Sequence, residues 1–100
     1  MILTVEEVKL HLRIDEDDDI EDAVIESLIM QAQATAEDYC RVSFEDGSSA
    51  VAPEPVRLAC MLMVSHYFEN RDNPDMTIYH TMREAFQNLL YPYRDPAKMF

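Results

Sequence analysis

Residues Asp19–Arg41 read DIEDAVIESLIMQAQATAEDYCR, and the spacing of apolar side chains in this run decides the fold. Ile20, Val24, Leu28 and Ala32 recur every four residues, and Ile25, Ile29, Ala36, Tyr39 and Cys40 fill an adjoining row. That period belongs to a helix with one buried face, and it predicts a helix over 19–41. Composition points the same way. Glycine occurs once, at Gly47, while Met, Leu, Ala and Glu are plentiful, which favours helices over a turn-rich β fold. A chain of 100 residues suits one small domain that buries about 60–65% of its unfolded surface and gains from association with other chains.

Just ahead of this helix stands an acidic block, Asp15-Glu16-Asp17-Asp18-Asp19-Ile20-Glu21-Asp22. Asp15, Asp17, Asp19 and Glu26 match the first, third, fifth and twelfth positions of a calcium-binding loop, but Ile20 occupies the sixth. That position needs glycine for a sharp turn, and a β-branched side chain strongly disfavours the conformation. The calcium reading therefore fails. Carboxylates before a helix also satisfy its unpaired N–H groups and complement its dipole, so the block is expected to start the helix without any ligand.

Upstream, Thr4 and Glu7 form a capping-box pattern that opens a helix over 5–12. Its stripe is Val5, Val8 and Leu12, with Glu6, Glu7 and Lys9 expected to face water. Downstream, residues 42–52 break the period and contain Asp46-Gly47-Ser48-Ser49, a loop with a possible short hairpin at Asp46-Gly47. Pro53 and Pro55 mark the first turn of a third helix over 53–70. Val56, Ala59, Cys60, Met63, Val64, Tyr67 and Phe68 make its broad stripe, while Leu58, Met61 and Leu62 are apolar on its other sides. A helix apolar nearly all round is central to the fold or shared with a neighbour. Pro74 precedes a fourth helix over 76–90, packed through Ile78, Met82, Ala85, Phe86, Leu89 and Leu90. Pro92 ends it and leaves 91–100 as an extended docking tail. The fold is expected to be all-α, a small bundle of about four helices in one domain over 1–100.

The net charge of −12 is lopsided, with 14 acidic and 3 basic side chains in residues 1–50 against 6 and 5 in residues 51–100. So acidic a surface repels phosphate backbones, and the chain carries no basic stripe for a nucleic-acid groove. Cys40 and Cys60 match no metal-ligand spacing and are expected as buried free thiols in a reducing compartment. The longest apolar run, Leu58–Val64, is far too short to span a bilayer, and the N-terminus lacks the pattern of a secretion signal. A soluble, intracellular product is expected.

Chemistry has little to build on. His66 with Glu69, and His80 with Glu84, share helix faces, yet di-iron bundles require Glu-x-x-His in the opposite order plus glutamates from two further helices. Ser65 and His66 are adjacent on one helix and point about 100° apart, which is no catalytic arrangement. A single glycine makes no phosphate-cradling loop. No enzymatic activity, metal or cofactor is expected.

Four segments, taken in order, carry a resemblance over nearly the whole chain. They are the opening Ile2–Asp15 with its "L-T-x-E-x-V-K-x-H-L-R-I-D" pattern, Tyr39-Cys40-Arg41, the "H-x-x-E-N-R" segment His66–Arg71, and the "L-L-x-P-Y-R" segment Leu89–Arg94. Together they resemble the head-to-tail connector family of tailed bacteriophages, whose members are also labelled DNA-packaging proteins. Cys40 departs from a family that often has a short Thr-Gly before the arginine. The resemblance implies an all-helical adaptor, made in the host cytoplasm and built into the virion at the head–tail junction. It implies a homo-oligomeric ring, a dodecamer being one form, seated beneath the portal protein. The ring would extend the channel through which DNA passes without specific binding, and offer a platform to a tail-completion or head-closure protein.

On that reading Leu58, Met61, Leu62, Tyr91, Tyr93, Arg94 and Phe100 are candidates for contact with a neighbouring subunit or the portal. Asp15, Asp17, Asp18 and Asp19 are candidates for an acidic channel lining that keeps DNA from sticking, or for a solvated outer face. The competing reading is a small acidic regulatory or inhibitor protein that covers a basic partner.

Overall fold

The computed structural model describes residues 2–41, 53–71 and 75–94. Four helices follow in order: α1 (Val5–Leu12), α2 (Asp22–Cys40), α3 (Glu54–Glu69) and α4 (Met76–Leu90). No strand occurs among the described residues, and the fold is an all-α bundle. The predicted 42–52 loop and residues 95–100, Phe100 among them, lie outside the described residues.

Helix α1 starts on the expected capping box: Glu7 N–H donates to Thr4 Oγ1 at 3.1 Å, and Thr4 N–H donates to Glu7 Oε1 at 3.2 Å. It ends at Arg13, which takes the left-handed conformation at φ 61° and lets Ile14 N–H reach the Lys9 carbonyl at 2.9 Å. Arg41 does the same after α2, at φ 59°. Glycine is the usual occupant of such a cap, and here two arginines accept the steric cost instead.

Helix α2 begins three residues later than its apolar period predicts, because the acidic block forms turns rather than a cap. Asp17 N–H donates to Asp15 Oδ1 at 2.9 Å, and Ile20 N–H to Asp18 Oδ1 at 3.2 Å. Short carboxylates hold their own backbone this way in competition with the helix. The N-cap falls on Glu21, whose side chain caps nothing, so the expectation that the block's carboxylates cap α2 is corrected. The buried row shifts accordingly. Ile25, Ile29, Ala32, Ala36 and Cys40 form the core face, whereas Ile20 is 82% exposed and Val24 is exposed.

Helix α3 begins at the prolines as predicted, with Pro53 as N-cap, and buries Val56, Ala59, Cys60, Met63 and Val64. It is the central element, packed against α2 on one side and α4 on the other. Asp75 caps α4, accepting from Thr77 N–H at 2.8 Å, and Met82, Phe86 and Leu90 enter the core one turn apart. Ile78, expected on that packing face, is exposed because the first turn of α4 runs past the end of the core. A 3-10 turn at Tyr91–Tyr93 follows, and the chain leaves it extended at Arg94. Leu3, ahead of α1, closes the core, and Ile2 N–H donates to the buried Gln33 Oε1 at 2.8 Å.

Ile29→Ala is expected to cost about 2–5 kcal/mol of unfolding free energy in urea, as for a buried aliphatic truncated in a packed core. Ile20→Ala is expected to stay within about 0.5 kcal/mol of the native protein. Equal losses at the two positions would place Ile20 in the core face and contradict the late start of α2.

Candidate interaction site

Four charged side chains fasten the helices. Lys9, expected in water, is buried: its Nζ donates to the Glu16 carbonyl at 3.1 Å and pairs with Asp22 Oδ1 at 2.9 Å. The Asp22 carboxylate holds the ammonium above the usual lysine value of 10.5 against the opposing effect of burial, with Asp18 and Asp19 adding attraction. Lys9 lies four residues after Val5 and three before Leu12, inside the α1 stripe, so helical geometry alone placed it there. Arg57 on α3 is also buried in part; it pairs with Glu7 and with Glu54 at 3.3 Å, and its Nε donates to the Ile2 carbonyl at 3.2 Å. Arg71 reaches Glu21 at 3.3 Å and lies 4.3 Å from the Phe68 ring centroid, which ties the end of α3 to the start of α2. Arg94 Nε donates to the Tyr39 carbonyl at 3.0 Å with its guanidinium 4.6 Å from the Tyr39 ring centroid.

With Lys9 and Asp22 holding its base, the acidic turn is pushed outward. Asp15, Asp17, Asp18 and Asp19 are all exposed. Near the other end of α2, where α2, α3 and α4 meet, a cleft of about 740 Å³ opens. Tyr39, Met63, Tyr67, Tyr79 and Phe86 give it aromatic and apolar walls, and Arg41, Arg83 and Arg94 line it with positive charge. Burial pushes the Tyr67 hydroxyl above its ordinary range, with Tyr79 contributing. Sequence reasoning missed this cleft, since its arginines stand 42 and 11 residues apart and only the fold gathers them.

The apolar candidates divide. Leu58 is 55% exposed, on a groove of about 200 Å³ that also involves Leu3, His11 and Met61 between α1 and α3. Met61 and Leu62 are half-buried against the core, as is Tyr93, while Tyr91 is exposed. Cys40 and Cys60 are buried free thiols whose Sγ atoms face the Leu90 and Ala32 carbonyls at 3.7 and 3.8 Å. Burial pushes the Cys60 thiol up to about 12. His66 stacks its ring near Tyr67 and Tyr79, at 5.3 and 6.0 Å between centroids. Among the described residues no three His, Cys, Asp or Glu side chains gather as metal ligands, and no helix is long and apolar enough to cross a membrane.

Three of the four fasteners, Lys9, Arg71 and Arg94, fall on the segments that carried the family resemblance, and Arg57 does not. The sequence matches the phage gp6-like head-tail connector protein family over residues 2–95. The chain belongs to that family. It is therefore a structural connector protein of a bacteriophage virion. No curated protein and no solved structure matches it. In this connector, Thr4, Glu7, Lys9 and Arg13 of the opening motif cap and pin α1. Asn70 and Arg71 close α3, and Arg94 of the last motif grips Tyr39 of the second.

The raised values of Cys60, Cys40, Tyr67 and Lys9 set an alkaline limit on stability. The unfolded chain releases the Cys60 proton from its ordinary 9.0 while the folded chain keeps it to about 12, so stability falls as pH rises through that window. The Lys9 contribution is complete below 10.5 and is lost as pH rises through its higher folded value. Urea titrations from pH 8 upward are expected to show the decline beginning near 9; Cys60→Ala reduces the early part, to which Cys40 also contributes, and Lys9→Met reduces the later part. A profile unchanged by either substitution contradicts these assignments.

Proposed function

We propose that copies of this connector form a ring beneath the portal protein at the capsid vertex, where they lengthen the DNA channel and receive the tail-completion or head-closure protein. The observation that carries the reading is the family match over residues 2–95, nearly the whole chain. It favours the connector over an acidic inhibitor of a basic partner.

The chain's surface supports association. Leu10 on α1 is 82% exposed, Leu58 on α3 is 55% exposed, and Met76 and Ile78 stand exposed at the start of α4. Apolar groups set apart in this way gain most from contact with two different neighbours, and repeated head-to-tail contact closes a ring when the rotation permits. The net charge of −12 repels the phosphate backbone, so duplex passes without being held. Tyr91 and the 95–100 segment ending in Phe100 would serve the portal or tail protein, while Arg94 and Tyr93 hold the start of that segment to α2.

Negative-stain images of the chain mixed with its portal protein are expected to show an added ring coaxial with the portal. Leu58→Glu is expected to leave thermal unfolding nearly unchanged, because the side chain is exposed, and to reduce ring occupancy. Bare portals beside a monomeric connector at high concentration overturn the reading.

A further inference from the structure

Six of the eight lysines and arginines of this chain fall into two sets. Lys9, Arg57 and Arg71 each pair with an acid of their own chain. Arg41, Arg83 and Arg94 line one cleft and form no ion pair with a described residue. Among the described residues the only acid in that lining is Asp38, against three arginines, within a strongly acidic protein.

The opposite charge is concentrated beyond the far end of α2. Asp15, Asp17, Asp18 and Asp19 are exposed, and two hydrogen bonds to their own backbone keep the turn in one shape. The side chains of Asp17 and Asp19 accept no hydrogen bond and form no ion pair with any described residue. Beside them the apolar side chain of Ile20 is 82% exposed. The 19 residues of α2 separate this turn from Arg41 by about 28 Å along the helix axis, at a rise of about 1.5 Å per residue. The turn of one molecule cannot reach its own arginines.

We propose that the acidic turn Asp15–Ile20 of one copy docks into the arginine-lined cleft of the next copy. The proposal rests on the ring reading above and supplies its subunit contact. Carboxylates of Asp17 and Asp19 meet the guanidinium groups of Arg41 and Arg83, a pairing that can be bidentate. Ile20 takes the apolar wall, where Met63 and Phe86 already pack. The contact joins two different surfaces, so it repeats head to tail, as a ring requires. It also accounts for the acidic turn without a metal and for arginines that form no ion pair with a described residue in a chain rich in carboxylates. Because both sets of charges lie at the surface, assembly weakens as salt rises.

The test is ring formation on the portal by full-length chains, each variant first checked for native helical circular dichroism and thermal unfolding. Arg41→Glu with Arg83→Glu, and separately Asp17→Lys with Asp19→Lys, are expected to lose the ring. A chain carrying all four substitutions is expected to recover it, since the charges are exchanged but remain complementary. If the native chain forms rings and either reversed pair does too, the contact is wrong while the ring stands. Loss in both pairs without recovery in the combined chain also overturns it. Should the native chain form no ring on the portal, the ring reading falls first and this contact with it. Duplex DNA held by the native ring and released by Arg41→Glu with Arg83→Glu would assign the cleft to phosphate instead.

Discussion

Lys9 Nζ is the cation around which the acidic half of this chain folds. Seven of the eight residues from Asp15 to Asp22 are acidic, and such a run repels itself when it is brought between two helices. A single ammonium on α1 resolves the problem by pairing with Asp22 at the start of α2 and capping the Glu16 carbonyl in the turn. Burying an ammonium is costly unless it is paired and hydrogen-bonded, and here it is both. The first carboxylates of the block are left on the outside, and α2 starts at Asp22 because the residues before it are held in turns. The direction of α2, and with it the position of the cleft beyond its middle, follows from that one anchor.

Much of the architecture was legible in the sequence because it rests on local signals. The Thr4–Glu7 capping box, the prolines before α3 and Pro74 before α4 marked three helix starts, and periodicity fixed which face of α3 is buried. The start of α2 was misread for a physical reason. An aspartate before a helix can cap it or can fold its own backbone into a turn, and the two outcomes look alike in one dimension. Of the two apolar rows the sequence showed, the adjoining one, Ile25, Ile29, Ala36 and Cys40, is buried together with Ala32, while Ile20 and Val24 of the first row stay exposed. Lys9 was assigned to water from its charge, although its spacing from Val5 and Leu12 placed it on the stripe.

The exposed surface features were half legible. Exposed Leu58 and the exposed acids of the turn stand where the sequence suggested. The cleft was not visible, because Arg41, Arg83 and Arg94 come from a helix cap, a helix face and the chain after a 3-10 turn. Only packing brings them together. The motifs that marked the family turn out to be largely fasteners: Arg94 on Tyr39, Arg71 on Glu21, Lys9 on Asp22. They keep the two ends of α2 in fixed relation to α3 and α4, which suits the proposed ring, where each copy would repeat the same contact.

The account joins that rigidity to a charge pattern, with an acidic turn at one end of α2 and an arginine-lined cleft towards the other. The most direct measurement is a disulfide test of the contact itself. Asp17→Cys and Arg83→Cys are placed in one full-length chain, assembled on the portal and oxidised mildly; the native thiols are buried and take no part. Non-reducing electrophoresis is predicted to show a ladder of covalent oligomers that collapses to monomer on reduction and is absent from either single variant. Rings that assemble yet yield only monomer under the same oxidation would contradict the account.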